Sequence, residues 1–221
     1  MPQQINRKIL LYLFLFIILG TLNNKHLNKF YFPKIDSIKI YGLETNDELR
    51  KKIELLKLNN IFLLNKIQIS KLFDNNDLIE EYKVFKKYPS SLEIEITKTS
   101  FLAITNIDGK FFFIGSNGKL IETKNNLKDL PYIFGDFKID SFLNLKKIID
   151  DSSLDFQEIK NLFFFPTGRW DIETKSEILI KLPKGSLKES LDLSLNILID
   201  QKYNNIKLID VRQKNQVILN E

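Results

Sequence analysis

Ile9–Leu22 is the only long apolar run in this 221-residue chain, and it governs what everything behind it can become. Arg7 and Lys8 precede it, and Asn23, Asn24 and Lys25 follow. Fourteen helical residues cover roughly 21 Å, against a bilayer hydrocarbon core of ~30 Å. A cleavable signal needs small residues at two positions before the cut. The exit Leu19-Gly20-Thr21-Leu22-Asn23-Asn24 offers no such register. Snorkelling of Lys8 and Lys25, local thinning and an interfacial Phe30-Tyr31-Phe32 cluster accommodate a short span. The run is therefore read as an uncleaved anchor at 9–22 behind a cytoplasmic leader at 1–8, with the bulk of the chain outside. Basic-residue counting alone slightly favours the opposite orientation, because Lys25, Lys29, Lys34 and Lys39 follow the run. Long domains, however, translocate largely regardless of their charge. A cleaved signal and a buried helix of a soluble protein are the alternatives.

Beyond the run, about 190 residues remain, enough for one or two compact domains. The 33 basic and 28 acidic residues are interleaved, so the net charge of +5 is not gathered into the one-faced basic stripe of a nucleic-acid groove. The chain has no cysteine, which excludes a disulfide framework, a thiolate nucleophile and a Cys-based metal site. Its single histidine, His26, follows the apolar run and has no second histidine to complete a zinc site or a His-based triad. No catalytic, metal-binding or cofactor-binding residue is assigned.

Residues 23–34 read as a linker ending at Pro33-Lys34. Ile35–Tyr41 alternates with period two and stops at Gly42, as a strand does. Thr45 and Glu48 stand at the capping-box spacing before a helix whose Leu49, Ile53 and Leu56 share a face. Ile67–Phe73 carries a second helical pattern. Ile79–Tyr88 and Leu92–Thr97 read as strands around Pro89-Ser90-Ser91. The order over 35–99 is thus strand, helix, helix, strand, strand. From 100 to 221 short strands dominate. Phe101–Ile104 and Phe111–Ile114 flank Asp108-Gly109, and Asn117-Gly118 is a two-residue hairpin signal leading into Lys119–Ile121. A phosphate-loop reading of Gly115–Lys119 fails, because the four-residue spacing before Gly-Lys and the following helix are both missing. Ser141–Ile149 is an amphipathic helix. Strands follow at 156–165, 168–174 and 177–182, and a last helix begins near Ser186. Ile206–Arg212 and Gln216–Leu219 are two strands at the C-terminus. The fold class expected is α+β: an N-terminal membrane helix, a β-α-α-β-β module, then a β-rich domain with an antiparallel sheet and two or three helices.

This order of elements, with several local sequences, resembles the FtsQ/DivIB family of bitopic cell-division proteins. The matching segments are Ile38-Lys39-Ile40-Tyr41-Gly42 and Val84–Ile94 at the two ends of a POTRA-type module. Leu130-Pro131 with Gly135, Gly168-Arg169-Trp170-Asp171, Lys181-Leu182-Pro183 and Ile209-Asp210-Val211-Arg212 follow in order. The resemblance implies an inner-membrane, single-pass protein of the divisome without catalysis, its bulk periplasmic and gathered at midcell. It implies recruitment through the POTRA module and capture of FtsB- and FtsL-like partners by the β domain through its C-terminal strand. Carried onto this chain, the partner-binding positions are Arg212, Gln213, Asn215, Gln216, Val217, Ile218 and Leu219, with Arg169 as a further contact. A C-terminal strand at a sheet edge can accept an incoming strand by β-augmentation, with Val217 and Leu219 on one side and Gln216 and Ile218 on the other. Trp170, the only tryptophan, is read as packing rather than as an interface anchor. The competing functions are a membrane-anchored envelope enzyme acting on peptidoglycan and a POTRA protein of transport or assembly.

Overall fold

The computed structural model describes residues 7–22, 33–42, 47–123, 129–200, 206–214 and 216–220. His26, the Phe30–Phe32 cluster and the expected cap Thr45 lie outside these residues. The apolar run forms a helix, α1 (Arg7–Leu22), with Ile9 to Leu19 exposed on all sides. Its sixteen residues extend about 24 Å. No helix among the described residues is long and apolar enough to cross a membrane. The expected transmembrane helix is therefore present as a helix but falls short of a full hydrocarbon thickness.

The chain divides into two compact units, one of residues 1–40, 45–69 and 84–94, the other of 41–44, 70–83 and 95–221. Between Pro33 and Lys98 the elements are β1 (Ser37–Tyr41), α2 (Asp47–Glu54), a 3₁₀ turn (Leu55–Leu58), α3 (Lys66–Phe73), β2 (Ile79–Lys87) and β3 (Ser91–Lys98). The three strands form one sheet in the order β1-β3-β2. This is the strand-helix-helix-strand-strand order expected from the sequence. Leu49, Ile53 and Leu56, spaced three and four apart, are buried together with Ile61 and Leu64. Before α3, Asn65 and Gln68 form a reciprocal cap. The Asn65 carboxamide oxygen accepts from the Gln68 amide at 2.9 Å, and the Gln68 side chain accepts from the Asn65 amide at 3.1 Å.

Among the described residues the remaining strands form one nine-stranded sheet. They are β4 (Phe101–Ile107), β5 (Lys110–Gly115), β6 (Leu120–Thr123), β7 (Tyr132–Phe134), β8 (Ile159–Phe164), β9 (Trp170–Thr174), β10 (Leu179–Lys181), β11 (Leu208–Asp210) and β12 (Ile218–Asn220). Their spatial order is β12-β11-β10-β9-β8-β7-β4-β5-β6. The sheet is mixed rather than antiparallel, since β4 with β7, β7 with β8 and β10 with β11 run parallel. Two of these parallel pairs are joined by helical crossovers. Helix α4 (Ile139–Asp150) lies between β7 and β8, and α5 (Leu187–Ile199) between β10 and β11. Phe142, Leu145 and Ile149 of α4 and Leu191 and Leu195 of α5 are buried in one cluster with Ile133, Leu162, Ile172, Ile180 and Ile209 of the sheet.

One turn follows the sequence reading and one corrects it. The two-residue hairpin is Asp108-Gly109, where both residues take positive φ (52° and 82°), the backbone a twisted strand pair needs. Asn117-Gly118 instead belongs to a four-residue connection between Gly115 and Leu120. There the Asn117 carboxamide is held by its own contacts, donating to the Asp77 and Ile79 carbonyls at 2.9 and 3.1 Å and accepting from the Lys119 amide at 3.0 Å.

Candidate partner-binding site

Register places two rows of side chains across the last five strands. One row runs Leu162, Ile172, Ile180, Ile209 and Leu219, and it faces the helices as an apolar layer. The next row, one residue along each strand, points to the opposite face. It runs Phe163, Asp171, Lys181, Asp210 and Ile218. Opposite charges therefore alternate across β9, β10 and β11 at the strand spacing of about 4.8 Å.

The two carboxylates of this row meet different surroundings. Asp210 accepts from Arg212, whose Nε lies 2.8 and 3.0 Å from the two carboxylate oxygens. That charged hydrogen bond holds the Asp210 carboxyl below its ordinary range, against the opposing effect of burial, and raises the Arg212 guanidinium. Asp171 is only 3% exposed, and desolvation pushes its carboxyl up, outweighing the attraction of Arg169, Arg212 and Lys181. The Arg169 Nε stands 3.6 Å from Asp171 Oδ1, an ion pair too long for a hydrogen bond, and neither atom has a hydrogen-bond partner among the described residues. The Arg169 guanidinium instead lies 3.9 Å from the centre of the Phe165 ring.

Trp170 points the other way, into the core. It is 1% exposed, donates its indole N–H to Ser141 Oγ at 3.2 Å and sits 4.8 Å from the Phe164 ring. It is a packing residue. Gly135, from the Leu130–Gly135 segment, has φ of 101°, and a Cβ there would fall 2.1 Å from the Phe164 carbonyl oxygen. Only glycine lets the end of β7 pass this close to β8.

β12 ends the sheet, so its outer side carries no strand among the described residues. It spans Ile218–Asn220, shorter than the expected Gln216–Leu219 and ending one residue later. The alternation holds: Val217 and Leu219 pack against the core, whereas Ile218 is 47% exposed on the charged face. Beside this strand a groove of about 690 Å³ opens between Ser186 with Glu189 and Leu193 of α5 on one side and residues 211–214, 216 and 217 on the other. The structure thus brings Arg212, Gln213, Gln216 and Val217 to the groove and Ile218 to the free edge. Arg169 stands just before β9, the second strand inward from β11. Asn215 lies outside the described residues. The sequence reading missed Asp171, Lys181 and Asp210 as members of the Arg169–Arg212 cluster, and α5 as the second wall of the groove. The motifs Arg169-Trp170-Asp171, Lys181-Leu182 and Asp210-Val211-Arg212 each place charge and apolar bulk on opposite faces of a strand, but only cross-strand register makes the charges neighbours.

Two segments of the chain match known families. Residues 34–98 match the family described as POTRA domain, FtsQ-type, and residues 103–212 match that described as cell division protein FtsQ/DivIB, C-terminal. Cell division protein DivIB of Clostridium botulinum (strain Loch Maree / Type A3) is 33% identical over 162 residues, covering 67% of this chain and 62% of that protein. The match thus spans less than two thirds of that relative's length. Cell division protein FtsQ of Rickettsia bellii is 26% identical over 193 residues, covering 83% of this chain and 70% of its own length. The major extracytoplasmic domain of DivIB from Geobacillus stearothermophilus aligns over 49% of this chain and 98% of its own at 16% identity and a TM-score of 0.36, too slight a likeness to bear on the fold. The two matched segments follow one another in order, taking in the first sheet and the second as far as β11, and on that ground the chain belongs to the FtsQ/DivIB family of cell division proteins.

Proposed function

We propose that this protein is a non-enzymatic scaffold of the bacterial division machinery, tethered in the inner membrane by α1, with its bulk in the periplasm and at midcell during division. In this reading a POTRA-type module at 35–99 recruits other division proteins. The domain at 100–221 holds FtsB- and FtsL-like partners. The observation that supports partner capture is the outer side of β12, which carries no strand among the described residues, with exposed Ile218 beside the groove lined by Arg212 and Val217. A strand laid along β12 satisfies backbone groups on both chains at once, and the neighbouring side chains set its register. The sheet behind the edge is a buried apolar layer, so little ordering of the receptor opposes docking.

The charged face supplies direction. Arg169, Lys181 and Arg212 outnumber Asp171 and Asp210, which favours a partner with carboxylates along its approach. Asp210 holds the Arg212 fork in place, so its remaining N–H groups meet a partner carboxylate already oriented. For the tether, the apolar surface of α1 is continuous around the helix, and Arg7 and Lys8 sit at its start, where snorkelling offsets its shortness. Depletion of the protein in its source bacterium, followed by microscopy, is expected to give filaments without septa. Normal septation refutes the assignment.

A further inference from the structure

Between Leu55 and Ile67 the chain exposes large apolar side chains in succession. Leu55 and Leu58 lie three apart on the 3₁₀ turn, where such residues share a side. Leu58 is 69% exposed, Leu63 74% and Ile67 65%, with Leu55 and Phe62 both at half or more. They are not loosely placed. Asn60 fixes the turn, accepting from the Phe62 amide at 2.8 Å through its side chain and from the Leu64 amide at 3.0 Å through its carbonyl. The Phe62 ring lies 5.0 Å from the Tyr88 ring, and Lys86 donates to the Leu64 carbonyl at 2.6 Å. Apolar side chains thus project outward from a braced turn, the reverse of how a turn usually divides its residues.

Three observations say what they meet. First, the turn adjoins the point where the chain arrives from α1: Lys34 forms a bridge with Asn60, and the Ile35 amide donates to the Asn59 carbonyl at 3.1 Å. Residues 23–33 separate this point from the end of α1 and span at most about 40 Å even when extended. Second, residues 50–67 carry five basic side chains (Arg50, Lys51, Lys52, Lys57, Lys66) and one acidic, Glu54, which is paired with Lys57. Third, the apolar residues are carried by a turn and the short helical segments on either side of it, with the Phe62 ring against Tyr88, which follows β2. An exposed apolar turn set among lysines suits a fluid, anionic interface better than a rigid complementary surface.

The geometry points to a second membrane contact: the turn from Leu55 to Ile67 rests on anionic lipid headgroups of the periplasmic leaflet, inserting Leu58, Phe62, Leu63 and Ile67 between lipids. This inference rests on α1 being the tether. It gives the first unit a fixed aspect toward the bilayer rather than free rotation on its linker.

The chain contains no cysteine, so single labels are unambiguous. The full chain carrying Leu63→Cys, labelled with an environment-sensitive fluorophore, is reconstituted into phosphatidylglycerol–phosphatidylethanolamine vesicles containing a lipid-borne quencher. Lys175→Cys, an exposed position at the end of β9, is the reference label. The expected result is loss of most emission from position 63 and none from 175. That quenching is expected to disappear on phosphatidylcholine vesicles and in Lys51→Glu/Lys66→Glu. A chain that floats with the vesicles while its label at 63 stays in water overturns the contact and leaves the tether standing, and this is what a docking turn for a protein partner produces. Equal quenching on phosphatidylcholine overturns the assignment to anionic lipid. Failure of the chain to float at all overturns the tether itself.

Discussion

Asp171 and Asp210 project from one face of the same sheet, and their environments send them opposite ways. The folded Asp210 carboxyl is held below its ordinary value by Arg212, so its contribution to stability is fully present above the unfolded value near 3.9 and is lost as pH falls through the folded one. Asp210→Asn is expected to cost about 1–2 kcal/mol at pH 7, a charged hydrogen bond reduced because Arg212 is partly solvated. The deficit should shrink below pH 4. Urea unfolding followed by Trp170 fluorescence at pH 7 and pH 3 measures it, and an equal deficit at both values removes the ion pair as its cause. Asp171 opposes this trend. Burial raises its carboxyl, so the ionised form is disfavoured in the fold, and stability is gained as pH falls through the raised value. Gly135 tests a steric rather than an electrostatic constraint. With φ of 101° and the Phe164 oxygen 2.1 Å from an added Cβ, Gly135→Ala should destabilise by about 3 kcal/mol or more, and a loss below about 1 kcal/mol contradicts the close approach.

At the scale of elements, the two faces of β12 separate folding from the proposed capture. Ile218→Lys places a charge on the exposed side of an edge strand, where natural sheets use lysine to prevent strand addition. It should abolish co-purification of an FtsB-like partner and shift stability by no more than about 0.5 kcal/mol. Leu219→Lys, one residue on, turns a charge toward the core and should cost about 1–3 kcal/mol. Normal capture by Ile218→Lys would remove the edge from the site. Alternation is also why this strand was legible in the sequence, as were the strand-helix-helix-strand-strand order and α5, whose Leu191 and Leu195 repeat at helical spacing. β7 was not legible. Tyr132–Phe134 is three residues between Pro131 and Gly135, too short to show a period, and its parallel neighbours are distant in sequence. The charged row was hidden for a related reason. Asp171, Lys181 and Asp210 become neighbours only through cross-strand register, which no local pattern encodes.

For the whole molecule, the proposed tether raises the question of what α1 would contribute beyond attachment. Along Ile9 to Leu19 every side chain is exposed, and the apolar surface surrounds the helix without a polar or small-residue stripe to mark a docking face. As the proposed tether, such a helix would meet lipid equally on all sides. Its presence at the head of the linker then matters more than its order of residues, because edge strand, groove and charged face all lie in 95–221. Replacing residues 1–22 by an unrelated membrane-spanning helix of the same orientation should therefore restore septation in depleted cells to the level of the native chain. A truncated chain starting at residue 23 without any anchor should not, since it loses the effective concentration that tethering supplies. If the exchanged helix localises the chain to the membrane yet leaves cells filamentous, α1 recognises a partner through its own side chains, and the scaffold has a binding surface inside the bilayer as well as at its sheet edge.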